Sequence, residues 1–155
     1  MNSTEVSCLI RAPRPAVYRA LVDPAAISVW RVPTGMASQV HEFDAREGGR
    51  FRVSLSYEAP DRTGKSSGNT DTYHGHFVSL VADEQVVEQI EFETADPALL
   101  GTMTMTTTLA DAAGGTRVTV RHDGIPDGVA AADNETGTRM ALEKLTDLVE
   151  GQPRG

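Results

Sequence analysis

The sequence predicts an α+β domain in the order β-α-α-β6-α, with an antiparallel meander curled around one long C-terminal helix. Three observations lead there. From about Asp127 to Glu150, the residues Ala130, Ala131, Asn134, Thr138, Ala141, Leu142, Leu145, Leu148 and Val149 recur at spacings of three and four, which puts them on one helix face. From Gln39 to Asp123 the apolar pattern switches to period two, as in strands with one buried face. A chain of 155 residues with 39% hydrophobic content supports one ordinary core and no second. The expected organisation is a single domain over 1–155, with a core from about 5 to 150 and a tail at 151–155.

Taken in order, Glu5 to Arg11 alternates Val6, Cys8 and Ile10 and reads as a strand. A helix begins near Pro15, where a fixed φ and a missing N–H cost least, and buries Val17, Ala20 and Leu21 before Asp23-Pro24 stops it. A second short helix is expected from Ala25 to Trp30, followed by a loop over Arg31 to Ser38 that contains Pro33 and Gly35. Gln39 to Phe43 is a weak strand. Past the turn at Gly48-Gly49, the stretch Arg50 to Glu58 alternates Phe51, Val53, Leu55 and Tyr57 with polar residues. Ala59 to Asp71 is rich in Gly, Ser and Asp and is expected to be an exposed hairpin loop. Further strands are expected over Thr72 to Val81, Val86 to Glu93, Thr102 to Leu109 and Thr116 to Asp123, the last two joined by a turn at Asp111 to Gly115. On the final helix, Lys144, Asp147 and Arg139 are expected to point outward, with Arg139 near Glu135 and Glu143.

Charge and composition exclude several classes. The net charge of −8 and the absence of a basic run argue against a nucleic-acid partner. Cys8 is the sole cysteine, so no internal disulfide forms. No stretch approaches the roughly 20 apolar residues of a membrane span, and the N-terminal residues lack the pattern of a secretory signal, so a cytoplasmic location is expected.

Several segments, in their order and spacing, resemble the START-like (SRPBCC) superfamily: IRAPRPAVYRALVDPAAISVW (Ile10 to Trp30), EGGRFRV (Glu47 to Val53), YHGHF (Tyr73 to Phe77), VVEQIEF (Val86 to Phe92) and TGTRMALEKLTDL (Thr136 to Leu148). The chain is most similar to the bacterial branch related to the C-terminal domain of the activator of Hsp90 ATPase, over Val6 to Glu150. That resemblance implies a helix-grip fold, in which a seven-stranded antiparallel sheet wraps the C-terminal helix and leaves a cavity between them. Members commonly carry an aromatic residue directly after the helix glycine. Here Thr138 follows Gly137, which is expected to widen or polarise the cavity.

Candidate site residues follow from facing. Glu88 shares a row with Val86, Ile90 and Phe92, so a regular strand buries its carboxylate, which then needs a raised pKa or a specific partner. His122 shares the row of Val118 and Val120. If the two meet they form an acid and base pair; a bulge in either strand reverses its facing and puts the side chain at the solvent-exposed mouth or outside. His74 and His76 share a face and could bind a metal only with further ligands, so an exposed face is the preferred reading and no metal is expected. Met103 and Met105 are expected to pack the core first and line a pocket second. Trp30 is read equally as pocket wall or as a core residue under the loop after it.

The leading expectation is a binding protein for a small, largely apolar molecule. Trp30, Phe51, Val53, Leu55, Tyr57, Glu88, Ile90, Phe92, Met103, Met105, Asn134, Thr138 and Leu142 would form the wall, with Glu88, Asn134 and Thr138 orienting the ligand. Recognisable enzyme motifs are missing, so neither an enzyme nor a cofactor is expected. The second reading is an enzyme of the cyclase, dehydratase or hydrolase kind that the superfamily also hosts, with Glu88 and His122 as the catalytic groups. The third is a chaperone-type protein interaction, which requires an exposed apolar patch. Monomer and homodimer both stay open.

Overall fold

The computed structural model describes residues 2–33, 35–57 and 70–151. Its elements run β1 (Ser3–Ile10), α1 (Arg14–Leu21), α2 (Pro24–Trp30), β2 (Met36–Phe43), β3 (Arg50–Tyr57), β4 (Thr70–Val81), β5 (Gln85–Phe92), β6 (Met103–Ala112), β7 (Gly115–Asp123) and α3 (Ala131–Glu150), with a 3₁₀ turn at Pro97–Leu99. All seven strands form one antiparallel sheet in the order β1-β7-β6-β5-β4-β3-β2. Consecutive strands are neighbours from β2 to β7, and β1 returns to pair with β7 (Val6 opposite Val120). This is the helix-grip arrangement expected from the resemblance.

One face of the sheet supplies the core. Val6 and Ile10, Phe51 and Val53, Tyr73 and Phe77, Val86 and Ile90, Met103, Met105 and Leu109, and Val118 and Val120 are buried in alternation. Onto them α3 sets Thr138, Leu142, Leu145 and Val149, all at helical spacing. The two short helices close the end of this layer. Pro13 and Pro15 start α1, and the Asp23 side chain accepts from the Ala25 N–H to cap α2, whose first residue is Pro24. The Trp30 indole donates to the Ala20 carbonyl at 2.9 Å, which fixes α2 against the end of α1.

Boundaries moved where hydrogen bonding or packing overrode local pattern. The long helix begins at Ala131 rather than Asp127, because the Gly128 N–H is taken by the Ala98 carbonyl and Val129 closes a turn onto Pro126. Ala130 and Ala131 are therefore exposed instead of joining the inward stripe. Strand β2 starts at Met36, inside the loop expected to reach Ser38, since Met36 to Val40 pairs with β3. The loop expected over Ala59 to Asp71 lies outside the described residues up to position 69, as does Glu58. Thr70 and Asp71 belong to β4, where Asp71 is buried opposite Leu55. Asp111 and Ala112 pair within β6, so the hairpin turn is shorter than expected. Lys144 does not point outward: its ammonium donates to the Val32 carbonyl and ties α3 to the segment after α2. Among the described residues, no helix is long and apolar enough to cross a membrane.

Candidate functional site

Strand register places one polar row across the inner face of the sheet. Glu88 on β5 lies opposite Met105 on β6, Met105 opposite His122 on β7, and His122 opposite Thr4 on β1. All four are buried, the two charged or titratable members at 4% and 7% exposure. Glu88 and His122 are thus two strands apart with Met105 between them, and no hydrogen bond joins them.

What meets Glu88 instead is Arg31, the C-cap of α2. Its Nη1 donates to Glu88 Oε1 at 2.8 Å and its Nη2 lies 3.6 Å from the Met105 sulfur. The guanidinium carbon sits 5.7 Å from the ring centroids of both Trp30 and Tyr73. Burial works against the Arg31 charge, yet Glu88 and Tyr73 together outweigh it and raise the pKa. Burial also pushes the Tyr73 phenol up.

His122 has no such support. Burial first and the nearby Arg31 charge second lower its pKa from 6.5 to about 4, with Asp123 acting weakly in the other direction. The ring is therefore neutral at pH 7. Its Nδ1 is buried without a hydrogen-bond partner among the described residues. Beyond Thr4 the row continues onto α3: the Thr4 hydroxyl donates to Asn134 Oδ1 at 2.5 Å, and the Thr138 hydroxyl donates to the Asn134 backbone carbonyl at 2.7 Å.

Over this row lies a cavity of about 260 Å³ between sheet and helix. Nine of the thirteen expected wall residues line it: Trp30 from α2, Leu55 from β3, Ile90 and Phe92 from β5, Met103 and Met105 from β6, and Asn134, Thr138 and Leu142 from α3. Trp30 is both wall and core at 2% exposure. The other four do not line it. Phe51 is drawn into an aromatic cluster with Tyr73 and Phe77 and lies over Gly75, where a Cβ would stand 2.8 Å from its ring. Val53 is buried in the core, Tyr57 is half-buried at the far end of β3, and Glu88 is held by Arg31.

Sequence reasoning missed Arg31, Pro33 and Tyr73, gave Val120, Gly137 and Ala141 an inward facing without naming them as wall, and placed His122 only as a candidate acid or base, yet all seven line the cavity. Tyr73 was within reach, since alternation along Tyr73, Gly75 and Phe77 gives its facing. Arg31 left only an indirect signal, the need of a buried Glu88 for a cation.

His74 and His76 lie on the opposite, outer face. His74 Nδ1 is 3.0 Å from Glu93 Oε2, Arg52 holds Glu93 through two bonds of 2.8 and 2.9 Å, and His76 is exposed. The hydrogen bond from Arg52 keeps Glu93 low, at about 2. No group of three or more His, Cys, Asp or Glu suited to a metal ion occurs among the described residues.

The family described as activator of Hsp90 ATPase homolog 1-like protein matches residues 11–150. A crystal structure of a protein from Chromobacterium violaceum is similar at 31% identity and a TM-score of 0.87, covering 99% of both chains. One from Rhodobacter sphaeroides is similar at 21% identity and a TM-score of 0.79, over 97% of this chain and 93% of that one. A solution structure of an AHSA1-like protein from Aeromonas hydrophila shares the fold at 18% identity and a TM-score of 0.74, over 97% and 93%. Among curated proteins none matches. With nearly the whole chain matched by that model and its fold shared end to end, the protein belongs to the family of activator of Hsp90 ATPase homolog 1-like proteins.

Proposed function

We propose that this protein binds a small, largely apolar molecule between its sheet and its C-terminal helix. The observation behind this reading is the cavity of about 260 Å³, walled mainly by apolar side chains and opened further by Gly137, where a Cβ would meet nothing within 4 Å. A few polar groups in the wall, His122, Asn134, Thr138 and the Arg31 paired with Glu88, give such a pocket orientation.

The catalytic reading has less support. Glu88 is engaged by Arg31 and lies behind the wall, which leaves His122 without an acid partner. For a protein-interaction role, the exposed large apolar side chains among the described residues come from five separate segments: Leu9 on β1, Val29 on α2, Val78 and Val81 on β4, Leu100 after the 3₁₀ turn and Met140 on α3. Native mass spectrometry of the protein purified from its own host tests the proposal. The expected result is an added mass that denaturation releases and that Leu142→Trp, which fills the cavity, abolishes; an added mass unchanged in that variant would place the ligand elsewhere.

A further inference from the structure

We infer that the cavity selects a neutral ligand whose apolar body carries one hydrogen-bonding oxygen, a hydroxyl or a carbonyl, held between His122 and Asn134. This inference rests on the ligand-binding reading above and adds the chemistry of the ligand. Four observations at the polar end of the cavity support it.

First, His122 is 7% exposed and lines the cavity, and its Nδ1 has no partner among the described residues. A buried polar atom left without a hydrogen bond is costly, so a ligand group that supplies one is favoured. As the ring stands Nδ1 is closed off, so a ligand reaches it only after a half-turn of the ring, which exchanges Nδ1 with Cδ2. Second, Asn134 has its side-chain oxygen taken by the Thr4 hydroxyl, which leaves the amide N–H groups as its remaining function. Third, the charges beside the cavity already cancel. Arg31 is neutralised by Glu88, and His122 carries no charge at neutral pH because burial and the Arg31 charge hold its pKa near 4. An anionic ligand would add a buried charge without a counter-ion, and a cationic one would face the guanidinium. Fourth, apart from Arg31, Tyr73 and Thr138, the rest of the wall, including Leu55, Ile90, Phe92, Met103, Val120 and Leu142, offers only apolar contact. One polar oxygen at one end is what these groups satisfy.

Four probes with the same two-ring body test this by titration calorimetry at pH 7: naphthalene, 2-naphthol, 2-naphthoate and 2-naphthylmethylammonium. The expected order puts 2-naphthol about tenfold tighter than naphthalene, the factor of one good hydrogen bond, with both ions weaker than naphthalene. His122→Leu is expected to bring 2-naphthol down to the level of naphthalene while naphthalene itself still binds, which shows the cavity intact. Should that variant not fold, Asn134→Leu, at a half-buried position in the first turn of α3, makes the same test. A bound 2-naphthol also moves the ring ¹⁵N resonances of His122, which naphthalene does not. The inference is overturned if 2-naphthoate binds as tightly as 2-naphthol, or if a variant that retains naphthalene keeps the full preference for 2-naphthol. Should none of the four bind, the ligand-binding reading itself falls, and this inference with it.

Discussion

Arg31 and Glu88 form an ion pair with 13% and 6% of their side chains exposed, so each compensates the other's buried charge. Glu88→Leu leaves a buried guanidinium uncompensated and is expected to destabilise the fold by about 3–5 kcal/mol in urea unfolding, whereas adding Arg31→Met to it is expected to restore most of that loss. His122 makes a separate prediction. Its folded pKa of about 4 lies below the ordinary 6.5, so the unfolded chain binds the proton more tightly. The stability His122 contributes is therefore complete above pH 6.5 and lost as pH falls toward 4, a change on the order of 3 kcal/mol. The charged groups acting on the ring are Arg31 from α2 and Asp123 beside it on β7. In His122→Phe the same pH window is expected to flatten in thermal unfolding followed by circular dichroism; an unchanged slope would remove His122 from the account.

At the scale of elements, two glycines separate open space from contact. Gly137 in α3 faces nothing within 4 Å, so Gly137→Ala is expected to stabilise the helix by about 0.5–1 kcal/mol while narrowing the cavity. Gly75 in β4 is the opposite case: a Cβ there would stand 1.9 Å from the Gln89 carbonyl oxygen and 2.8 Å from the Phe51 ring. Gly75→Ala is expected to destabilise by several kcal/mol through the forced shift of β4 from β5. Opposite signs in the two melting temperatures check this. Element types were legible because periods of two and 3.6 are set by burial, as in β3 and in α3 from Asn134 onward. The start of α3 was not, because the Ala98 carbonyl that takes the Gly128 N–H comes from a segment remote in sequence. Lys144 was misplaced for a related reason: helical spacing gives a direction, but a long side chain can bend to a carbonyl on another segment, here that of Val32.

For the whole molecule, a meander folded onto one helix leaves a gap where α3 presents Gly137 and Thr138 in place of bulk. The wall contributed by β5, β6 and α3 could be read from facing alone, as Ile90, Met103, Met105 and Leu142 show. Arg31 could not, because it comes from a helix end whose direction no period fixes. Phe51 has the facing of a wall residue, but only the structure shows that Gly75 opens a berth for its ring outside the cavity. The most direct test of a ligand-binding cavity uses the methionine methyl groups, labelled with ¹³C, during titration with 2-naphthol. Met103 and Met105 line the cavity, while Met36 packs away from it and Met140 is exposed on α3. The predicted result is saturable shifts of the Met103 and Met105 methyls with those of Met36 and Met140 unmoved. Shifts confined to Met140, or no shift at any methyl, would contradict the account.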